Sequence, residues 1–188
     1  MKNILLAGVG GQGLVMTTDM ICEAAFRSGF DVKSNDVVGL SQRGGKVWGS
    51  VRYGDKVNSP NIGIGEADVL LALEPLEALR WQSFLKPGGV LLTATADIYP
   101  VFAIGEQAPY PHNFMEQFRD DVTVRAIDAL AISLEEGSNK MVNVVMLGIL
   151  APYLEIETPV WQDVISERVP VKSKEMNAAA FLRGLALE

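Results

Sequence analysis

The tightest constraint on this chain lies at its front, where a short apolar run breaks into glycines and resumes as a helix. Ile4 to Ala7 is an apolar stretch with the look of a buried parallel strand. Gly8-Val9-Gly10-Gly11-Gln12-Gly13 follows and matches G-x-G-x-x-G. From Gln12 to Ser28 the apolar positions Leu14, Ile21, Ala24 and Ala25 recur at helical spacing. Gly29 ends that helix and Asp31-Val32-Lys33 begins a second strand. A strand–helix–strand opening of this kind predicts a parallel sheet with a right-handed crossover.

Beyond it, Gly39-Leu40-Ser41-Gln42-Arg43-Gly44-Gly45 is too glycine-rich for a regular element. Val47, Gly49, Val51 and Tyr53 alternate with Trp48, Ser50 and Arg52, which predicts a strand closed by a turn at Tyr53-Gly54-Asp55-Lys56. Residues 68–73 predict a further buried strand. Pro75 suits the first turn of a helix running to about Leu85, and Lys86-Pro87-Gly88-Gly89 reads as a turn before a strand from Val90 to Thr95. Prolines at 100, 109 and 111 interrupt residues 96–120, which predicts a surface excursion with a short helix near 113–119. Val122 to Ile127 reads as a strand, and helices are expected at 140–152, 160–168 and 174–185, with Thr158-Pro159 as a helix start. No repeat or linker divides the chain. The expected architecture is a single domain over 1–188: a three-layer α/β/α fold with a mostly parallel sheet and a Rossmann-like start.

The glycine loop has an evident physical use. Glycines permit a tight turn and close backbone approach, and the helix N-terminus offers free N–H groups at the positive end of its dipole. A dinucleotide site would add an acidic residue about 20 residues further on, at the end of the second strand. Asp36 is the nearest acid, although Lys33 and Ser34 stand closer to that strand's expected end. From this pattern alone, a self-sufficient NAD(P)- or flavin-binding dehydrogenase stays open beside other anion-binding readings.

Composition narrows the classes. The chain carries 16 basic and 23 acidic residues, net charge -7, with no run of Lys or Arg, so nothing marks a nucleic-acid surface. Its one cysteine, Cys22, cannot by itself form an internal disulfide, hold an iron–sulfur cluster or ligate a structural zinc. The N-terminus enters structure without the basic and long apolar segments of a signal peptide, and no stretch approaches the ~20 apolar residues of a membrane span. A cytoplasmic location is expected.

The second glycine loop is the more specific signal. Asn35-Asp36-Val37-Val38-Gly39-Leu40-Ser41-Gln42-Arg43-Gly44-Gly45, followed by Ser50-Val51-Arg52-Tyr53-Gly54, resembles the gamma domain of pyruvate- and 2-oxoacid:ferredoxin oxidoreductases. Residues 67–74, the run Asn143-Val144-Val145-Met146-Leu147-Gly148 and the run Asn177-Ala178-Ala179-Ala180-Phe181 extend the resemblance over essentially the whole chain. Where the family usually has Ser-Glu this chain has Asn35-Asp36, and Leu40 replaces the usual Met. A separate small chain of this length is most similar to the beta subunit of the indolepyruvate type.

That resemblance implies oxidative decarboxylation of a 2-oxoacid to an acyl-CoA and CO2, with electrons passed to ferredoxin. Thiamine diphosphate with Mg and 4Fe-4S clusters would sit on a larger catalytic partner subunit, with coenzyme A as co-substrate, because this chain has neither the cysteines nor the Gly-Asp-Gly…Asn motif to hold them. No cofactor is expected on this chain alone, no catalytic residue is assigned to it, and the isolated chain is expected to be inactive. Gly8, Gly10, Gly11, Gln12 and Gly13, with Ser41, Gln42, Arg43, Gly44 and Gly45, are expected to line a substrate or coenzyme A cleft at the carboxyl ends of the strands. Arg43 would be the anion contact, its planar fork suiting carboxylate or phosphate, or else would brace its own loop. Gln12 and Gln42 would bind ligand or hold the loops. Glu74 would face the same cleft or serve the following helix N-terminus, and Asn139 and Asn143 would bind ligand or cap a helix. His112 is expected on the surface, and Trp48, Trp81 and Trp161 in cores or interfaces. A pure scaffold, binding no small molecule, is the remaining reading.

Overall fold

A computed structural model describes residues 1–38, 45–96 and 113–188. Its six-stranded sheet has the order β2-β3-β1-β4-β5-β6, built from β1 (Lys2–Val9), β2 (Asp31–Val38), β3 (Lys46–Gly54), β4 (Ala67–Ala72), β5 (Leu85–Ala94) and β6 (Thr123–Ile127). The β1–β4, β4–β5 and β5–β6 pairs are parallel, and β3 runs antiparallel to both its neighbours. The sheet is therefore mostly parallel, as expected.

The first two strands, β1 and β2, run in the same direction, as a strand–helix–strand opening predicts, and β3 lies between them. Its pairing with β2 runs in unbroken register from Asp31 opposite Gly54 to Val38 opposite Val47. The connection between them is short, and a short connection can join antiparallel strands but not parallel neighbours. Having turned back, β3 offers its other edge to β1, from Lys2 opposite Tyr53 to Val9 opposite Lys46.

Alternation along the strands divides the apolar residues between two cores. Ile4 and Leu6 of β1, with Val69, Leu71 and Leu92, join the larger core, whereas Leu5 and Ala7, with Leu70, Ala72 and Leu91, face the smaller one. The larger core is roofed by α1 (Leu14–Arg27), α3 (Ala129–Glu135), α4 (Val142–Leu150), α5 (Thr158–Arg168) and α6 (Lys174–Leu185). Across the sheet lie α2 (Pro75–Trp81) and the 3-10 turns at 82–84 and 114–117. Helix α4 is apolar almost all round because neighbours surround it, and Val144 to Leu150 are buried without interruption. Trp161 and Phe181, with ring centroids 6.3 Å apart, fill the same core; Trp48 and Trp81, 4.9 Å apart, pack on the other side.

Several local readings shift. The Lys86-Pro87-Gly88-Gly89 turn lies inside β5: Ala67 pairs with Leu85 and Val69 with Val90, so these four residues bulge out opposite Asp68. Lys86 Nζ reaches Asp68 Oδ1 at 2.5 Å, and Gly88 N–H donates to Asp121 O at 2.7 Å. The helix at Pro75 stops at Trp81 and tightens into a 3-10 turn. Thr158 does not cap α5, whose N-cap is Glu157, with Pro159 in the first turn. A helix that the sequence reading leaves out, α3, is capped by Asp128 Oδ1, which accepts from Ala131 N–H at 3.0 Å. No helix among the described residues is long and apolar enough to cross a membrane.

Cys22, on α1, is partly buried; burial pushes its thiol pKa above the ordinary value, only partly offset by a hydrogen bond with Ser34. The thiolate is the reactive form. A thiol reagent such as DTNB at pH 8 is therefore expected to label native Cys22 at least about tenfold more slowly than the urea-unfolded chain, and equal rates would contradict this burial.

Candidate functional site

The parallel strands β1, β4 and β5 end on one edge of the sheet, and a cavity of about 540 Å³ opens there. Gly11, Gln12 and Gly13 line it after β1, Leu73 after β4 and Ala96 after β5. Met16 of α1, Leu130 of α3, and Asn139, Lys140, Val142 and Asn143 at the start of α4 complete the wall. The position is the crevice at the carboxyl ends of the strands where open α/β sheets receive ligands.

Local chemistry explains the shape of the loop. Gly13 has φ 79° and ψ 22°, a left-handed conformation costly to other residues, and it forms the N-cap of α1. Beside it, Gln12 Oε1 accepts from Val9 N–H at 2.6 Å and Gln12 Nε2 donates to Leu73 O at 2.6 Å. Both ends of that amide thus lock the loop to β1 and β4, so Gln12 holds the loop. Gly8 stands within β1 and leaves room for this amide, since a Cβ there would lie 2.8 Å from Gln12 Oε1.

The two glycine loops meet. Gly10 N–H donates to Gly45 O at 2.8 Å, which brings the end of the second loop against the first. Ser41, Gln42, Arg43 and Gly44 lie outside the described residues, as does His112. Of the expected site residues, Gly11, Gln12 and Gly13 therefore face the cavity, while Gly8, Gly10 and Gly45 build its frame.

The charge character of the cavity follows from its ends. Both α1 and α4 point their N-termini at it, and neither helix has a side-chain cap. Most first-turn N–H groups of such helices lack intrahelical acceptors and carry the positive end of the dipole; in α4, Val144 N–H turns back to Met141 O at 2.9 Å. Lys140 adds a full positive charge, and no carboxylate stands among the described lining residues. This is a site for an anion. Asn143, only 2% exposed, is the buried polar side chain of the wall; the sequence signal for it is a lone amide inside an otherwise apolar helix.

Two other acids are placed elsewhere. Glu74 is buried and caps α2, its Oε2 accepting from Glu77 N–H at 2.8 Å. Asp36 borders a separate hollow of about 690 Å³ with Asp19, Cys22, Ser34 and Arg168, and burial raises its carboxyl pKa despite a hydrogen bond with Thr18. The intervening β3 moves the end of β2 one strand spacing, about 4.8 Å, further from the glycine loop than in a dinucleotide fold. A ribose contact from Asp36 into the cavity is thereby lost, which removes the geometric support for a dehydrogenase.

No group of three or more His, Cys, Asp or Glu suited to a metal occurs among the described residues. With Cys22 as its one thiol, the chain's donor chemistry does not fit an iron–sulfur cluster.

Comparison with known proteins agrees on one family. The family model for pyruvate ferredoxin/flavodoxin oxidoreductase matches residues 3–187. The indolepyruvate oxidoreductase subunit IorB of Pyrococcus horikoshii is 36% identical, over 97% of this chain and 94% of that one. The crystal structure of a keto/oxoacid ferredoxin oxidoreductase gamma subunit from Geobacter sulfurreducens is similar with a TM-score of 0.73 and 25% identity, covering 99% of this chain and 97% of that one. A 2-oxoglutarate:ferredoxin oxidoreductase from Magnetococcus marinus shares the fold, with a TM-score of 0.78 at 22% identity, over 99% of this chain and 30% of the longer one.

Proposed function

The chain belongs to the pyruvate ferredoxin/flavodoxin oxidoreductase family and is a small subunit of a 2-oxoacid:ferredoxin oxidoreductase, and from that premise we propose that it serves an enzyme acting on indolepyruvate or a related aryl pyruvate. The near full-length similarity to an archaeal indolepyruvate oxidoreductase subunit supports this substrate class. The larger partner would carry thiamine diphosphate with Mg and the 4Fe-4S clusters, which supply the decarboxylation and electron-transfer chemistry. Residues 1–188 would act as one gamma-type unit docked on that partner.

The part of this chain is to bind and orient an anionic reactant, the 2-oxoacid or coenzyme A, at the carboxyl edge of its sheet. One observation carries this: two uncapped helix N-termini and Lys140 converge on a cavity of about 540 Å³ that no carboxylate lines among the described residues. Fixed N–H dipoles in a walled cleft hold a negative group without reorganising, and exclude water from the reacting end. Gly45 is joined to Gly10 at the frame of this cavity, and Arg43, two positions before it in the sequence, is the proposed second cation.

The test is to purify the tagged chain with its native partner and assay coenzyme A-dependent reduction of a viologen dye with indolepyruvate, pyruvate and 2-oxoglutarate. Co-purification of a brown large subunit, with turnover highest on indolepyruvate, is the expected result. In that complex Lys140→Glu should raise the KM for coenzyme A or the 2-oxoacid by about tenfold or more, since a cation is replaced by an anion at the mouth of the cavity. A chain that purifies alone, or that reduces a nicotinamide unaided, would overturn the proposal.

A further inference from the structure

The cavity wall contains a hydrogen-bond relay that determines what its one buried amide presents to a ligand. Thr17 Oγ1 directs its proton to Gly13 O at 3.0 Å, so it can only accept from Asn143. Asn143 Nδ2 donates to that hydroxyl oxygen at 3.2 Å and approaches Gly13 O at 3.5 Å. Thr17 is fully buried and Asn143 nearly so, and a flipped amide would set Oδ1 against Gly13 O, acceptor against acceptor, while taking the Thr17 hydroxyl from it. The amide nitrogen is thereby fixed toward α1. Asn143 Oδ1, on the opposite side of the amide, accepts no hydrogen bond from the described residues, although the side chain lines the cavity.

An acceptor held in a wall where two helix N-termini and Lys140 supply donors is a recognition element. We propose that Asn143 Oδ1 is the contact by which the cavity selects a ligand bearing an N–H or O–H donor next to an anionic group, with Thr17 as the residue that positions it. The inference rests on the reading of the cavity as a ligand site and adds the polarity of the ligand to it. The helix N-termini and Lys140 take the negative end, and Asn143 takes the donor. A ligand of equal charge without that donor would cover the amide oxygen and leave it unpaired, which is the stronger source of discrimination.

The experiment uses the assembled complex and reads KM for coenzyme A and for indolepyruvate separately from kcat, with melting temperature and subunit co-elution recorded for each variant. Asn143→Leu, close in size but without the amide, should raise one of the two KM values about three- to tenfold while kcat changes by less than about twofold. Thr17→Val should raise the same KM by a smaller factor, because the amide is no longer held in one orientation, and Thr17→Ser should restore it. If Asn143→Leu fails to assemble, the contrast between Thr17→Val and Thr17→Ser decides the matter. Unchanged KM values in an assembled Asn143→Leu complex, or equal effects of Thr17→Ser and Thr17→Val, would overturn the inference. Lys140→Glu separates the two readings: a raised KM there with none in Asn143→Leu removes only the role of Asn143, and no effect in either removes the ligand site as well.

Discussion

Gly148→Ala is expected to destabilise the chain by at least about 3 kcal/mol, more than overpacking of a flexible core ordinarily costs. Helices α4 and α6 cross at Gly148 and Gly184 with their backbones in contact. A Cβ at 148 would stand 2.1 Å from Phe181 O and 2.8 Å from Leu185 N, and one at 184 would stand 2.1 Å from Val145 O. The opposing atoms are backbone, so no rotamer change relieves the overlap, and the helices must part. Parting them opens the core around Trp161 and Phe181, both fully buried. For a domain of this size, where 1 kcal/mol shifts Tm by about 2–4 °C, the melting temperature should fall by about 6–12 °C, or the variant should be insoluble. A Gly148→Ala chain melting within about 2 °C of the natural one would show that the crossing is not as close as described.

This crossing marks a limit of what the sequence discloses. The run around Gly148 is legible as a helix, and its resemblance to the family is visible, but nothing in the spacing of Gly148 and Gly184 announces that they meet. The same limit applies to the sheet. Alternation in Val47 to Tyr53 reveals a strand and its two faces, and the faces are as read. That the strand inserts between β1 and β2 depends on a pairing choice made far along the chain. The strand–helix–strand opening announces the common direction of β1 and β2 but not the strand between them: local pattern specifies elements, whereas loop length decides which of them pair.

The glycine loop was readable because its requirement is local. Gly13 must be left-handed to turn β1 into α1, and the motif says so. Which loop residues meet a ligand was less readable, since Gln12 uses both polar ends on backbone groups of β1 and β4. Asn143 is the converse case. A lone amide within Val142–Leu150 stands out as polar in an apolar helix, but only the structure places it across from Gly13 and Thr17. Helix α3 was missed because its Asp128 cap precedes a run too short to establish a period. The proline-rich segment and the core of the second glycine loop lie outside the described residues, so those readings stand as proposals.

Gly13→Ala is expected to cost the assembled complex about tenfold or more in kcat/KM, together with a measurable loss of stability. Two penalties act at this position. The left-handed backbone, φ 79°, costs a non-glycine residue roughly 1–2 kcal/mol. In addition the new Cβ would lie 2.9 Å from Asn143 Nδ2, so the amide must move away from Thr17 and the cavity wall moves with it. A displacement of this kind at a binding wall harms catalysis as well as stability, because reactants held even slightly out of line react far more slowly. The two penalties separate in a double-mutant cycle read by melting temperature. With Asn143→Ala the overlap disappears and only backbone strain remains, so Gly13→Ala should cost at least about 1 kcal/mol less in that background than in the natural chain. Strict additivity of the two substitutions would show that Gly13 is required only for its backbone, and that the packing of Asn143 against it does not shape the site.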